Sequence, residues 1–158
     1  MRKKEIILYV LVLIIITFMF SACVGAPCKN KELKNIGVTR DNPLLQYFTK
    51  LHPDNEIILC GQEDVNNDNT KDLVIIYRVS KTKNAMKIVI AKEHNYKCSN
   101  EVPAPMENQI IKFKNIDDKD QIEVIVSGSK NGQVGYAIFR LQNMKIVNLF
   151  GNDMEDCC

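Results

Sequence analysis

The chain contains no Cys-X-X-Cys motif, which removes both the thioredoxin-type redox pair and the zinc ribbon. It has two histidines, His52 and His94, neither at metal-ligand spacing, and each reads as a surface or helix-end residue. It has no basic excess beyond its first five residues. Of 21 basic and 19 acidic residues, Arg2, Lys3, Lys4 and Glu5 lie there, leaving 18 of each. That balance argues against a nucleic-acid partner, which calls for a basic face. There is no uninterrupted apolar run of the roughly 20 residues that a membrane-spanning helix needs. Ser127-Gly128-Ser129 is not a nucleophile elbow, because a hairpin rather than a helix follows it. No pair of side chains offers a hydrolytic nucleophile and base. Met86, Met106, Met144 and Met154 do not cluster at a copper-site spacing.

What is present begins at the N-terminus. The basic patch Arg2–Lys4 precedes an apolar stretch, Ile6–Phe20, broken only by Tyr9 and Thr17. Small residues follow, in Ser21-Ala22-Cys23. Charge, short apolar run and small residues before a cleavage point make an export signal over residues 1–22. The cysteine after Ala22 resembles the lipobox of bacterial lipoproteins, in which that cysteine is diacylated and becomes the new N-terminus. Phe20 stands where leucine is usual. The resemblance implies a lipid on Cys23 and a place on the extracytoplasmic face of the cell membrane. The alternative is an uncleaved signal anchor with an unmodified Cys23.

Residues 23–40 lack periodicity and read as a flexible tether. A single β-rich domain is expected over 41–151. Asp41 or Asn42 would cap a helix with Pro43 in its first turn. Leu44, Leu45, Phe48 and Leu51 lie at helical spacing, and Pro53 stops the helix. Strands are expected at Glu56–Cys60, Asp72–Arg78, Ala85–Lys92, Ile110–Phe113, Ile122–Ser127, Val134–Leu141 and Lys145–Phe150. Lys81–Asn84 reads as a hairpin loop, and Asn131-Gly132 supplies the positive φ that a tight hairpin needs. Asn100–Pro105 reads as an extended, proline-bearing connection.

The two halves look alike. EIILCGQEDVNNDNTKDLVIIYRVS matches NQIIKFKNIDDKDQIEVIVSGSK when Asp64 is set on Asn115, a period of 51 residues. The expected fold is mostly β: two meander repeats of roughly 50 residues beside a short flanking helix, packed as a twisted sheet or half-barrel. These repeats resemble propeller blades and integrin-like FG-GAP units. An α+β meander with a chance match is the alternative.

The first acidic loop places Asp64, Asn66, Asp68, Thr70 and Asp72 at alternating positions. Such oxygen-bearing groups on a tight loop suit calcium, which takes six to eight hard oxygens. Thr70 would offer its carbonyl. Ile75 falls where an EF-hand needs glutamate, so the nearer likeness is to the calcium loops of FG-GAP repeats. The competing reading is an Asn/Asp-rich turn held by its own side chains. The second loop, Asn115–Glu123, keeps Asp117, Asp118 and Asp120 but has Lys119 where Asp68 stands. A solvated turn is expected there.

Five cysteines remain after Cys23: Cys28, Cys60, Cys98, Cys157 and Cys158. An odd number outside the cytoplasm leaves at least one thiol free, metal-bound or paired with another chain. The acidic tail, 152–158, ends Met154-Glu155-Asp156-Cys157-Cys158. Adjacent thiols can close a strained disulfide, chelate a soft cation such as mercury, zinc or cadmium, or exchange with a partner's thiol. Their acidic neighbours raise the cost of the thiolate unless a cation offsets it. The alternative is a disordered tail whose cysteines pair with Cys28, Cys60 or Cys98.

The stretches NPLLQYF, EDVNNDNTKDLVIIYRVS, NEVPAPMENQ, VSGSKNGQVGYAIFRL and LFGNDMEDCC together resemble the Cys-Cys-COOH (seleno)protein SaoC family, over about residues 42–158. The terminal Cys-Cys after Met-Glu-Asp is the most specific part. The resemblance implies an accessory lipoprotein of an ABC-transporter-linked system with thiol- or selenol-bearing partners. It also implies redox or soft-metal chemistry at Cys157 and Cys158. The leading expectation is a non-enzymatic binding protein. A thiol redox relay enzyme and a structural docking module for a transporter are the alternatives.

Overall fold

A computed structural model describes residues 35–92, 95–119 and 121–151. Cys23, Cys28, His94, Asp120, Cys157 and Cys158 lie outside the described residues. Residues 35–158 form a compact unit distinct from 1–34. The buried apolar side chains of the described residues run from Ile36 to Ile146, so this unit carries its own core.

The unit opens with helix α1, Pro43–Leu51. Asn42 is the cap: its Oδ1 accepts the N–H groups of Leu44 at 3.0 Å and Leu45 at 3.2 Å. Pro43 fills the first helical position, where no N–H is missed. Leu44, Leu45 and Phe48 are buried, but Leu51 is 53% exposed and lies off the packed face. The helix closes at His52, whose N–H reaches the Phe48 carbonyl.

Among the described residues nine strands follow: β1 Ile57–Glu63, β2 Asp72–Ser80, β3 Lys83–Lys92, β4 Asn95–Cys98, β5 Val102–Ala104, β6 Glu107–Lys114, β7 Glu123–Lys130, β8 Gln133–Gln142 and β9 Lys145–Phe150. They form two antiparallel sheets. The first is ordered β1-β2-β3-β4, with β5 pairing β3 beside β4. The second is the plain meander β6-β7-β8-β9. Among the described residues the architecture is mostly β with one flanking helix, as expected. The two sheets face each other instead of curving into one half-barrel, and the described strands close no barrel.

The first sheet lies between two layers. Val74, Ile76, Met86 and Ile88 face the second sheet, where they meet Val124, Val126, Ala137 and Phe139. On its other face Leu73, Ile75, Tyr77 and Val89 pack under Leu44, Leu45 and Phe48. This is why β2 reads as an unbroken apolar run: both faces are covered. Gly61 on β1 permits the close approach of the sheets. A Cβ there would lie 2.9 Å from the Phe113 ring and 3.0 Å from Ile111.

Two stretches read differently in three dimensions. Ile36 was expected within the tether but is buried in the core under α1. Its carbonyl accepts the Cys60 N–H at 2.6 Å, and Gly37, at φ 91°, fits against the Cys60 carbonyl. The folded unit therefore begins at residue 35. Asn100–Pro105 is more than a connection, because Val102–Ala104 pairs with β3 as an edge strand, where Pro103 is tolerated.

Candidate functional site

The first acidic loop joins β1 to β2. Asp64 accepts the N–H of Asp68 at 3.1 Å through Oδ1 and that of Asn69 at 2.7 Å through Oδ2. Asn66 Oδ1 accepts the Asp68 N–H at 3.0 Å, and Asn66 Nδ2 donates to Asp68 Oδ2 at 2.9 Å. The Thr70 N–H donates to Asp68 Oδ1 at 2.9 Å. Asn67 and Asn69 take the left-handed conformation, at φ 60° and 65°, which asparagine tolerates.

Asp72 is separate from this turn. It is fully buried, and its two oxygens accept the N–H of Val65 at 3.3 Å and of Ala91 at 2.9 Å. Burial pushes its carboxyl up to about 6 against the pull of those two amides. The five expected calcium ligands thus divide. Asp64, Asn66, Asp68 and Thr70 share a turn closed by its own hydrogen bonds, while Asp72 points into the core. Among the described residues no three His, Cys, Asp or Glu side chains are grouped to hold a metal. Calcium takes six to eight oxygens, and in this arrangement the side chains of Asp64, Asn66 and Asp68 are engaged with the turn itself.

The second loop is a clamp. Arg140, on β8, reaches Asp117 Oδ2 at 2.7 Å and Glu123 Oε1 through Nε at 2.7 Å, with a further very close contact from Nη2 to Glu123. Lys119 Nζ also meets Asp117, at 2.9 Å. The Arg140 and Lys119 cations hold the Asp117 carboxyl down at about 2. Residues 115–119 are exposed, as expected of a solvated turn, and Asp117 in addition pairs with the buried Arg140 guanidinium.

The repeat now has an atomic signature. Glu123 Oε2 accepts the Ile116 N–H at 2.8 Å, as Asp72 accepts the Val65 N–H. Both acids open the second strand of their sheet, and both tie back the residue seven positions earlier.

The described thiols are sequestered. Cys60 is buried, and burial pushes its thiol up to about 12. Cys98 is half-buried and raised by the same cause, opposed by Lys87. Neither is in a disulfide. Beside Cys98 lies a polar cluster that sequence reading did not single out. His52 stacks on Phe48, and Lys87 Nζ lies 3.5 Å from His52 Nε2. Tyr77 donates to Glu101 at 2.5 Å. Burial first, and Lys87 second, lower the His52 pKa, and burial raises that of Tyr77. At neutral pH both rings are uncharged and the nearby thiol is protonated, so the cluster holds no activated nucleophile. Strand alternation could have placed Tyr77 and Lys87 on one face, and Pro53 marks the helix end at His52, but nothing in the sequence shows that this end docks on that face. Neither family models, characterised proteins nor solved structures match this chain.

Proposed function

We propose that this chain is an accessory lipoprotein, held at the extracytoplasmic face of the cell membrane by a diacylated Cys23, whose Cys157–Cys158 pair binds a soft divalent cation. The same pair would exchange disulfides with a thiol- or selenol-bearing partner of an ABC-transporter-linked system. One observation supports assigning the chemistry to that pair. The domain keeps Cys60 buried with a pKa near 12, and Cys98 is also shifted away from the thiolate. Thiol chemistry within the domain would have to overcome that burial, whereas adjacent cysteines supply two soft donors at one place. The finer reading of the sheets as propeller-like blades belongs to this proposal too. The repeated acid latches and the stacked meanders support it.

The test is titration of the reduced protein with mercury(II) or zinc(II), followed by intact mass. One equivalent should bind tightly, survive Cys60→Ala and Cys98→Ala, and disappear in Cys157→Ser/Cys158→Ser. Retention of the metal by the double variant would overturn the assignment.

A further inference from the structure

Alternate residues of the second sheet face away from the core. Val124, Val126, Ala137 and Phe139 are buried in the core shared with the first sheet. Ile125, Ser127, Tyr136 and Ile138 stand between them on the same strands and so point to the outer face. Ladder register sets Ile110, Ser127 and Tyr136 in one row of that face. The next row is Lys112, Ile125, Ile138 and Phe150. Ile110, Tyr136 and Phe150 are each about half exposed, at 48%, 51% and 56%, and the Tyr136 and Phe150 rings stack at 5.5 Å.

The free charge beside this apolar floor is positive. Lys112 and Lys114 are exposed on β6, and among the described residues neither is paired with a carboxylate. Lys114 stands opposite Glu123 in the ladder, but the Glu123 oxygens are taken by Arg140 and by the Ile116 N–H. Asp117 is likewise held by Arg140 and Lys119. At the other end of the Lys112 row, Phe150 closes β9, and Gly151 follows it at φ 117°. A Cβ on Gly151 would lie 2.8 Å from the Ala137 Cβ, so the chain leaves the strand close against β8. Seven residues follow in the sequence, 152–158, with three acids, Asp153, Glu155 and Asp156, and no base.

We infer that the acidic segment 152–158 of this same chain crosses the outer face of β6–β9, with Met154 on the Tyr136–Ile138 floor and Glu155 and Asp156 against Lys112 and Lys114. Three observations select this occupant. Its charge is opposite to that of the β6 lysines. It continues directly from Phe150, at the edge of the face. Its length suffices, since three strand spacings of about 4.8 Å separate β9 from β6, about 14 Å, and the five residues from Gly151 to Asp156 span about 16 Å when extended. A small footprint is enough for a segment joined to its site, because a short link gives an effective concentration on the order of millimolar. The crossing delivers Cys157 and Cys158 to the β6 edge. The docking itself is independent of thiol chemistry; only the placing of a soft-cation site at that edge rests on the function proposed above.

Comparing the amide spectra of residues 35–158 and 35–151 under reducing conditions tests it. Removing the segment should shift the amides of Ile110, Ile125, Tyr136 and Ile138. Carbodiimide coupling of 35–158, read by peptide mass, should join Glu155 or Asp156 to Lys112 or Lys114. A mixture of light and nitrogen-15 chains should show that these links form within one chain. Lys112→Glu/Lys114→Glu should abolish the shifts, and adding Glu155→Lys/Asp156→Lys should restore them. If the double glutamate variant melts early, Lys112→Gln/Lys114→Gln replaces it and should lose the coupling. Shifts confined to residues 148–151 overturn the inference. So do links formed only between chains, or shifts indifferent to both lysine variants. Failure of the docking while mercury(II) still binds Cys157 and Cys158 overturns this inference and leaves the proposed function standing.

Discussion

Glu123 occupies in the second sheet the place that Asp72 occupies in the first, but only Glu123 is met by a guanidinium. The Arg140 side chain is 8% exposed and the Glu123 side chain 1%, so the pair is out of water. Arg140→Met should remove the cation and strand a buried carboxylate. Breaking such a pair costs about 3–5 kcal/mol. Urea unfolding of the variant should show a loss of that size, and the double variant Arg140→Met/Glu123→Gln should recover part of it. A loss below about 1 kcal/mol would mean that the clamp is structurally idle.

Asp72 has no cation and should make stability depend on pH in the opposite sense from a salt-bridged acid. Its folded pKa, near 6, lies above the ordinary carboxylate value of 3.8. The folded state therefore takes up the proton first. The contribution is complete below about pH 3.8 and is lost as pH rises through about 6. Melting of the wild type should rise between pH 7.5 and pH 5 relative to Asp72→Asn. Parallel pH profiles would show that Asp72 is not the group responsible.

Much of this fold is legible in the sequence because its signals are local. Seven of the nine strands announce themselves as β-branched or alternating runs, and Asn131-Gly132 forms its turn at φ 53° and 83°. β4 is missed because Asn95–Cys98 is short and polar and takes its place from pairing with β3. The acid loop shows the limit more sharply. Alternating oxygens can be counted in sequence, but Asp72 already belongs to β2, and strand parity turns it into the core. The same applies to the outer face of the second sheet. Ile125 and Ile138 read as ordinary strand residues until register shows which face they share.

Gly61 should tolerate no side chain. A Cβ would meet both the Phe113 ring and the Ile111 side chain at about 3 Å, between two packed sheets. Gly61→Ala should cost about 1–3 kcal/mol through overpacking, and Gly61→Val more. Equilibrium unfolding measures it. Pairing Gly61→Ala with Phe113→Leu should restore part of the loss, because the ring is what the new methyl meets.

Calcium gives a sharp test of the first acidic loop. Its turn is already closed by Asp64, Asn66 and Asp68 acting on backbone N–H groups. Millimolar calcium should therefore leave the melting temperature unchanged. Asp64→Ala should destabilise the domain by about 1 kcal/mol with or without calcium, since hydrogen bonds to a charged acceptor are lost either way. A rise of several degrees with calcium, abolished by Asp64→Ala, would show that the loop rearranges to gather further oxygens.

The thiols should separate by reactivity. Cys60 is buried on the helix-covered side of the first sheet, and its pKa near 12 leaves almost no thiolate at pH 8. Cys98 is half-buried at the end of β4, and Lys87 partly offsets the rise caused by burial. Native alkylation with iodoacetamide, read by peptide mass, should label Cys98 slowly and Cys60 only after denaturation. Under the proposed function Cys157 and Cys158 label together, and a stoichiometric soft cation protects both without changing Cys98. Protection of Cys98 by the same cation would move the binding site onto the domain, beside His52 and Lys87. Equal labelling of Cys60 and Cys98 in the native state would instead mean that the helix-covered core opens on the timescale of the reaction.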